Sequence, residues 1–156
     1  MNQFRRTFLK GASASGAIAA AIAAGLLKPG QVLAAEWNKA AFTATKLEDA
    51  LKAVNGTNAA ESKQIIVKAP DIAENGAVVP VEVISNIPNT EAIDIVIETN
   101  VNPLTASYQL ENGAVGYIST RVKMAKSSKV RAIVKAGGKT YTAAKEVKVT
   151  IGGCGG

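Results

Sequence analysis

A chain of 156 residues with 47% apolar content is typical of one globular domain rather than a disordered protein. Its formal charge of +6 would suit a nucleic-acid partner, but no RNA- or DNA-binding motif accompanies that charge. The sequence contains no histidine and a single cysteine. Ser–His and Cys–His catalytic pairs, a His/Cys zinc site and a disulfide within the chain are therefore excluded.

The first 35 residues have the pattern of an export signal that is removed from the mature protein. A basic head with Arg5 and Arg6 precedes an uncharged Gly/Ala/Leu run over residues 11–27, and small residues follow. The head resembles the twin-arginine signature, so we expect export by that route with cleavage after Ala34 or Ala35. A membrane anchor is the weaker alternative, because the run is short and mostly alanine and glycine. We expect no membrane attachment after cleavage.

The charge of the mature chain is small but unevenly spread. The signal removes four of the 18 cations and none of the 12 acids, which leaves 14 − 12 = +2. Residues 36–111 carry five lysines and 11 acids, or −6, whereas residues 112–156 carry nine cations and one acid, or +8. The basic half is either a set of solvated strand faces or a cationic surface for an anionic small molecule or an acidic partner. Lys123, Lys126 and Lys129 would belong to that surface.

One helical pattern opens the mature chain. Apolar residues recur at helical spacing over residues 47–54, and Thr45 and Glu48 have the spacing of a capping box. Residues 28–42 indicate no definite element, and Trp37 and Phe42 are interpreted as ordinary apolar anchors.

Short β-branched runs separated by turn residues occupy the rest of the chain and predict about seven strands. They cover residues 64–68, 78–84, 92–99, 106–110, 116–124, 129–135 and 141–151. Gly137-Gly138 between two runs predicts a hairpin, and Pro80 indicates an edge or a bulge. Alternation in the third run predicts that Asp94 and Glu98 lie on its solvent face. None of the carboxylates is singled out as an acid pair by spacing.

These elements predict an all-β fold: an immunoglobulin-like antiparallel β-sandwich with one short N-terminal helix and a flexible C-terminal arm. The Cys…Trp…Cys pattern of antibody domains is absent, so only the architecture is predicted. The expected organisation is an export signal over residues 1–35, a sandwich over 36–151 and an arm over 152–156.

The arm is the most unusual feature of the sequence. Cys154 stands between Gly152, Gly153, Gly155 and Gly156. Glycine removes side-chain bulk, so the segment should be a mobile tether that extends about 15 Å and carries an unhindered thiol into a narrow cleft on another protein. Such a thiol suits a covalent carrier. A disulfide-linked homodimer is the plain alternative, and a thiol-dependent redox enzyme is disfavoured because the CxxC motif is missing.

A twin-arginine signal, a β-rich domain without histidine and the terminal Gly-Gly-Cys-Gly-Gly together resemble SoxY, the sulfur-carrying family of the periplasmic thiosulfate-oxidising (Sox) system. Residues 69–80 (APDIAENGAVVP) are similar to the early strand–turn–strand region of that family. The resemblance covers essentially the whole chain, and its most specific element is the C-terminal pentapeptide.

The resemblance implies a periplasmic carrier without a cofactor or metal, paired with a SoxZ-like sandwich subunit as a heterodimer. Cys154 would be the attachment point, on which a haem cytochrome (SoxAX) builds an S-thiosulfonate from thiosulfate. A hydrolase (SoxB) would release sulfate and leave a persulfide, which a sulfane dehydrogenase oxidises where one is present. The chain would hold intermediates without catalysing a step. The alternative is an exported structural or adhesion-type sandwich domain dimerised through Cys154.

Overall fold

The computed structural model describes residues 37–150, and those from Asn38 onward fall within one compact unit. Nine strands and two short helices make up this part of the chain. The helices are α1 (Lys39–Thr43) and α2 (Leu47–Ala53). The strands are β1 (Ala60–Glu61), β2 (Ile65–Lys68), β3 (Ile72–Ala73), β4 (Val79–Ser85), β5 (Thr90–Ile97), β6 (Leu104–Gln109), β7 (Tyr117–Val122), β8 (Ser128–Ala136) and β9 (Lys139–Val149).

The strands form two sheets in the immunoglobulin-like arrangement, which confirms the predicted fold class. The larger sheet has the order β1-β9-β8-β5-β6, with β3 also paired to β9, and the smaller sheet has the order β2-β4-β7. The series β9-β8-β5-β6 facing β2-β4-β7 corresponds to strands G-F-C-C′ facing A-B-E of immunoglobulin domains. The main ladders are antiparallel, whereas the two-residue strands β1 and β3 run parallel to β9. These two short strands are the ones that the sequence pattern missed.

Alternating side chains of both sheets fill the space between them. The central cluster contains Val79, Val81 and Val83 of β4 and Ile93, Ile95 and Ile97 of β5, all at most 1% exposed. β-Branched side chains are stiff and pack well on a pleated surface, so a core of valine and isoleucine suits this sandwich.

The outer face of the larger sheet is covered too. Val96, Leu104 and Ile133 on this face pack against Ala50 and Val54 at the α2 segment. As a result β5 is buried along residues 92–97 on both of its faces. The prediction that Asp94 lies on a solvent face is therefore wrong, because the alternating pattern cannot show that a helical layer covers the polar side of the strand.

The predicted helix is confirmed as α2, but its predicted cap is not. The N-cap is Lys46, and no side chain caps the helix there, so Thr45 and Glu48 form no capping box. Helix α1 was not predicted, since five residues are too few to show a periodicity. The side-chain oxygen of Asn38 accepts a hydrogen bond from Ala41 N–H at 3.1 Å and caps α1. Phe42 packs, as expected, against the apolar cluster between the helices and the outer face of the larger sheet. Trp37 is 63% exposed and is not a core anchor.

The predictions for the Gly137-Gly138 turn and for Pro80 are both confirmed. Gly137 and Gly138 join β8 to β9 with φ of 54° and 72°, the left-handed conformation that a tight hairpin of this type requires. Pro80 lies in the middle strand β4, but β2 ends opposite Glu82. Pro80 therefore has a neighbouring strand only on the β7 side, and its missing N–H costs no ladder bond on the other side.

Candidate functional site

The site residues predicted on the arm, Cys154 with its four glycines, lie outside the described residues, as do Arg5 and Arg6. Their roles stay predictions. The structure describes the segment that precedes the arm, namely the end of β9, and the three loops around it. These segments lie at the end of the sandwich where β4 and β8 begin. We call this region the arm base, and it comprises residues 69–78, 98–103, 123–127 and 148–150.

The end of β9 is held by backbone pairing with β3. Lys148 N–H donates to the carbonyl of Asp71 at 2.9 Å, and Thr150 N–H donates to the carbonyl of Ala73 at 3.2 Å. The Thr150 hydroxyl also donates to the carbonyl of Glu74 at 3.3 Å. The chain is thus hydrogen-bonded up to Thr150, four residues before Cys154.

Ser127 fixes the same strand end from the other side. Its hydroxyl oxygen accepts a hydrogen bond from Val149 N–H at 2.9 Å, and the hydroxyl reaches the Val149 carbonyl at 3.5 Å. A single side chain therefore engages both backbone groups of Val149 just beyond the last β8–β9 pair, Ser128↔Val147.

Gly76 brings two of the loops into direct contact. A Cβ atom at this position would lie 2.5 Å from the Met124 carbonyl oxygen and 2.8 Å from Val149 Cγ1. Met124 N–H donates to the Gly76 carbonyl at 2.7 Å, and the Met124 side chain is fully buried. Only glycine allows this approach of the backbone.

Asn100 ties in the third loop. Its side-chain amide donates to the Lys123 carbonyl at 2.7 Å and accepts from Ala125 N–H at 3.1 Å. Together with the bonds of Ser127 and Gly76, these contacts join all three loops to the strand end. The arm base is therefore a rigid part of the domain, because each of its loops is hydrogen-bonded to another segment.

We expect Gly76→Ala to destabilise the fold by about 2 kcal/mol, because the backbone of residues 123–127 must shift to accept the new methyl group. Urea unfolding measures this loss, and hydrogen exchange should show faster exchange of the Val149 and Thr150 amides. Ala77→Leu adds bulk at an exposed neighbouring residue and serves as the control, with little change in either measurement. Equal stability of Gly76→Ala and the wild type would contradict the close packing described here.

The two carboxylates that were predicted on the solvent face of the third run, Asp94 and Glu98, are both paired with cations. Glu98 Oε1 lies 2.6 Å from Arg131 Nη2 and also accepts a hydrogen bond from Arg131 Nε at 2.8 Å. Asp94 is fully buried, and its Oδ2 lies 3.5 Å from Lys135 Nζ. Neither oxygen of Asp94 has a hydrogen-bond partner among the residues described. These contacts indicate two ion pairs rather than a catalytic acid pair.

A groove on the outer face of the larger sheet offers no distinct ligand chemistry. It has a volume of about 640 Å³, lies over β8 and β9, and is lined by Lys63, Lys129, Glu61 and Glu146 among others. Lys129 stands directly opposite Glu146 in the β8–β9 ladder, so charges of both signs alternate along the groove. Within residues 37–150 no cluster of three or more potential metal ligands occurs. No helix in the same range is long and apolar enough to cross a bilayer.

Sequence reasoning predicted Cys154 as the site residue but did not predict the residues that hold the strand end before it. Ser127, Gly76 and Asn100 act through contacts with segments that are distant in sequence, which a local pattern cannot reveal. One signal was present: residues 69–80, which carry the family resemblance, include the loop that contacts Val149 and Thr150.

The sequence matches the family model described as "Sulfur oxidation protein SoxY" over residues 51–154. Among solved structures, the sulfur carrier protein SoxY from Chlorobium limicola f thiosulfatophilum matches with 45% identity and a TM-score of 0.61. That match covers 68% of this chain and 97% of the other. A superoxide reductase (neelaredoxin) from Ignicoccus hospitalis matches with 21% identity and a TM-score of 0.49, covering 56% and 80% of the two chains. A likeness at that level carries no argument. No curated protein matches significantly.

The family match covers 104 of the 156 residues, and it includes β1 to β9, the whole arm base and the arm as far as Cys154. The likeness to the Chlorobium protein extends over nearly all of that chain at 45% identity. This protein belongs to the SoxY family.

Proposed function

We propose that this chain is the sulfur carrier of a thiosulfate-oxidising system, with Cys154 as the covalent attachment point. Gly152, Gly153, Gly155 and Gly156 would form its flexible mount. The supporting observation is the position of the only cysteine. The family match ends at Cys154, which is the fourth residue after Thr150. The strand end at Val149 and Thr150 is held by hydrogen bonds to Ser127, Ala73 and Glu74.

A rigid base and a glycine-rich extension serve such a role together. A covalent carrier must bring one atom to the active sites of several enzymes, so the attached group needs freedom while its body needs a fixed shape for recognition. The hydrogen bonds at Val149 and Thr150 supply the fixed body. Glycine on both sides of Cys154 leaves no side chain that would block a narrow cleft.

The first step of the proposed cycle is oxidative. The thiol of Cys154 loses its proton, and its sulfur forms a bond with the sulfane sulfur of thiosulfate to give an S-thiosulfonate. This step would release two electrons, which the haem-containing partner cytochrome would accept one at a time, and the proton would go to water. Oxidation by the cytochrome is therefore required, and the carrier supplies only the sulfur atom.

The second step is a hydrolysis. A hydrolase breaks the bond between the sulfane sulfur and the sulfonate sulfur, water supplies the oxygen, and sulfate leaves while a persulfide remains on Cys154. A sulfane dehydrogenase oxidises that sulfur in systems that have one, and a second hydrolysis restores the thiol. The carrier has no histidine for proton transfer. It therefore holds each intermediate while the partner enzymes supply the catalytic groups.

The carrier would act in the periplasm as a heterodimer with a SoxZ-like sandwich subunit. Because the twin-arginine route moves folded cargo and the chain has no obvious cofactor ligands that demand prior folding, the pair would fold first and cross together.

Arg5→Lys with Arg6→Lys is expected to leave both the carrier and its partner in the cytoplasm, because the partner crosses only as a passenger. Cell fractionation and immunoblotting of both subunits measure this. Lys10→Arg, which leaves the twin arginines intact, is the control and should export normally. Normal export of the partner in cells that contain the double variant would refute joint transport.

Mass spectrometry of the protein from cells grown on thiosulfate tests the carrier role. We expect the C-terminal peptide with Cys154 to carry sulfur-containing adducts that disappear after reduction. Only two copies joined through Cys154, with no such adduct, would instead indicate that the cysteine links structural domains.

A further inference from the structure

We infer that the arm base is the docking surface for the enzymes that act on Cys154, and that these enzymes present an acidic rim around the cleft that admits the arm. This inference rests on the proposed carrier function and adds to it the surface and the charge of the partner. The occupant is thus a protein with acidic side chains beside its active-site entrance.

The length of the arm limits where such an enzyme can bind. Cys154 is the fourth residue after Thr150, and four residues at full extension span about 14 Å. An enzyme cleft that takes in the thiol must therefore open close to Thr150. The loops that bond to the strand end at Val149 and Thr150 are the part of the sandwich that such an enzyme meets first.

Unpaired positive charge marks this region. Lys123, Lys126 and Lys148 are exposed, and none of the three forms an ion pair within the described part of the chain. Lys126 adjoins Ser127, which holds Val149, and the Lys123 carbonyl accepts the hydrogen bond from Asn100. Three acidic residues also lie here. Glu98 is paired with Arg131, which lies outside the arm base. Asp71 is engaged with Lys145 at 3.0 Å, and Glu74 is exposed.

Large apolar side chains lie exposed on the same loops. Val101 is 75% exposed, Ile72 is 59% exposed and Val78 is 50% exposed. Val101 follows Asn100, Ile72 lies in β3, and Val78 N–H donates to the Asn75 carbonyl in the turn that contains Gly76. Protein interfaces combine an apolar centre with a polar rim, and the arm base supplies both.

Rigid loops favour this role over an alternative in which the lysines bind the anionic adduct on the carrier's own arm. Asn100 and Ser127 hold the loops in place, so docking orders few additional groups and loses little conformational entropy. Lys123 and Lys126 lie on the loop before β8 and Lys148 lies on β9, so the three exposed charges are divided between two segments.

Charge reversal at the arm base tests the inference. In a reconstituted system, Lys123→Glu with Lys126→Glu is expected to lower kcat/KM for the carrier about tenfold at low salt, because electrostatic steering becomes repulsion. The rate at saturating carrier should change little. The wild-type kcat/KM should fall as salt rises, whereas that of the variant should stay flat or increase.

Lys63→Glu with Lys139→Glu is the matched control, since it changes the net charge equally. Lys139 begins β9 at the end remote from Val149, and Lys63 precedes Ile65, which pairs with Ser85 at the far end of β4. Both lysines are exposed and form no ion pair among the residues described. The control should keep kcat/KM within about twofold of the wild type, as expected for charges outside the interface. Val101→Ser should raise KM without altering the salt dependence.

Either of two kinetic results for the variants would overturn the inference while leaving the carrier role intact. One is a kcat/KM, and a salt dependence of kcat/KM, that are the same for the Lys123→Glu and Lys126→Glu double variant as for an active wild type. The other is an equal loss in the control variant, which would show that net charge matters and the surface does not. Faster spontaneous loss of the adduct from the arm-base variant, with unchanged enzyme kinetics, would assign the lysines to the adduct and also overturn docking. Absence of any turnover with the wild type would instead refute the proposed function and the inference with it.

Discussion

Replacement of Cys154 by serine is expected to abolish thiosulfate-dependent sulfate formation in a system reconstituted from the carrier, its partner subunit and the partner enzymes. Serine keeps the size of the side chain but cannot form the S–S bond on which the proposed cycle depends. We expect sulfate release to fall to the level seen without carrier. Circular dichroism and urea unfolding should match the wild type, since the hydrogen-bonded part of the fold extends to Thr150.

Ala114→Ser is the control for this substitution. It introduces the same hydroxyl at an exposed position in the β6–β7 loop and leaves the thiol in place. Its sulfate release should equal that of the wild type. Retained activity in Cys154→Ser would count decisively against the assignment, and loss of folding in that variant would show that the cysteine has a structural role.

Lys135→Met is expected to lower the free energy of unfolding by about 3 kcal/mol, because it leaves the buried carboxylate of Asp94 without a counter-charge. The pair lies on the covered face of the larger sheet, where Asp94 is opposite Ile133 and two residues from Val96. Lys135 Nζ lies 3.5 Å from Asp94 Oδ2, and its side chain is 29% exposed. Urea unfolding at neutral pH measures the loss.

Replacing both partners should remove most of that loss. In Asp94→Leu with Lys135→Met no charge is buried, so stability should return to within about 1 kcal/mol of the wild type. Lys139→Met, at an exposed lysine of the hairpin, controls for loss of a cation and should change stability by less than about 0.5 kcal/mol. If Lys135→Met proves as stable as the wild type, the ion pair does not hold the carboxylate in the fold.

Local pattern was enough to predict the architecture and seven of the nine strands in the described part of the chain. β4 and β5 are β-branched runs with turn residues at their ends, and the Gly137-Gly138 pair marks its hairpin through a backbone requirement that few residues meet. These features depend on residues that are close together in the sequence, so they can be predicted from one sequence alone. The helix α2 was predicted for the same reason, because its apolar residues face one cluster at helical spacing.

Features that depend on distant segments could not be predicted in this way. Asp94 has the alternation of a solvent-facing residue, yet it is fully buried on the sheet face where Val96 and Ile133 pack against the helical segments. The contacts at the arm base join residues far apart in the chain, such as Thr150 with Glu74 and Val149 with Ser127. Cys154 was predicted as the site from the sequence alone, because one thiol among glycines is unusual whatever the fold, and its role stays a prediction.

A single-turnover transfer tests the central claim most directly. The carrier is loaded by the cytochrome from thiosulfate that is isotopically labelled in its sulfonate sulfur, purified away from that enzyme and from free thiosulfate, and then mixed with the hydrolase alone. We predict labelled sulfate in an amount equal to the loaded chains, with the persulfide left on Cys154. Two results together would contradict the account. The purified chain would carry no label, and sulfate would form only when cytochrome, hydrolase and free thiosulfate are present together.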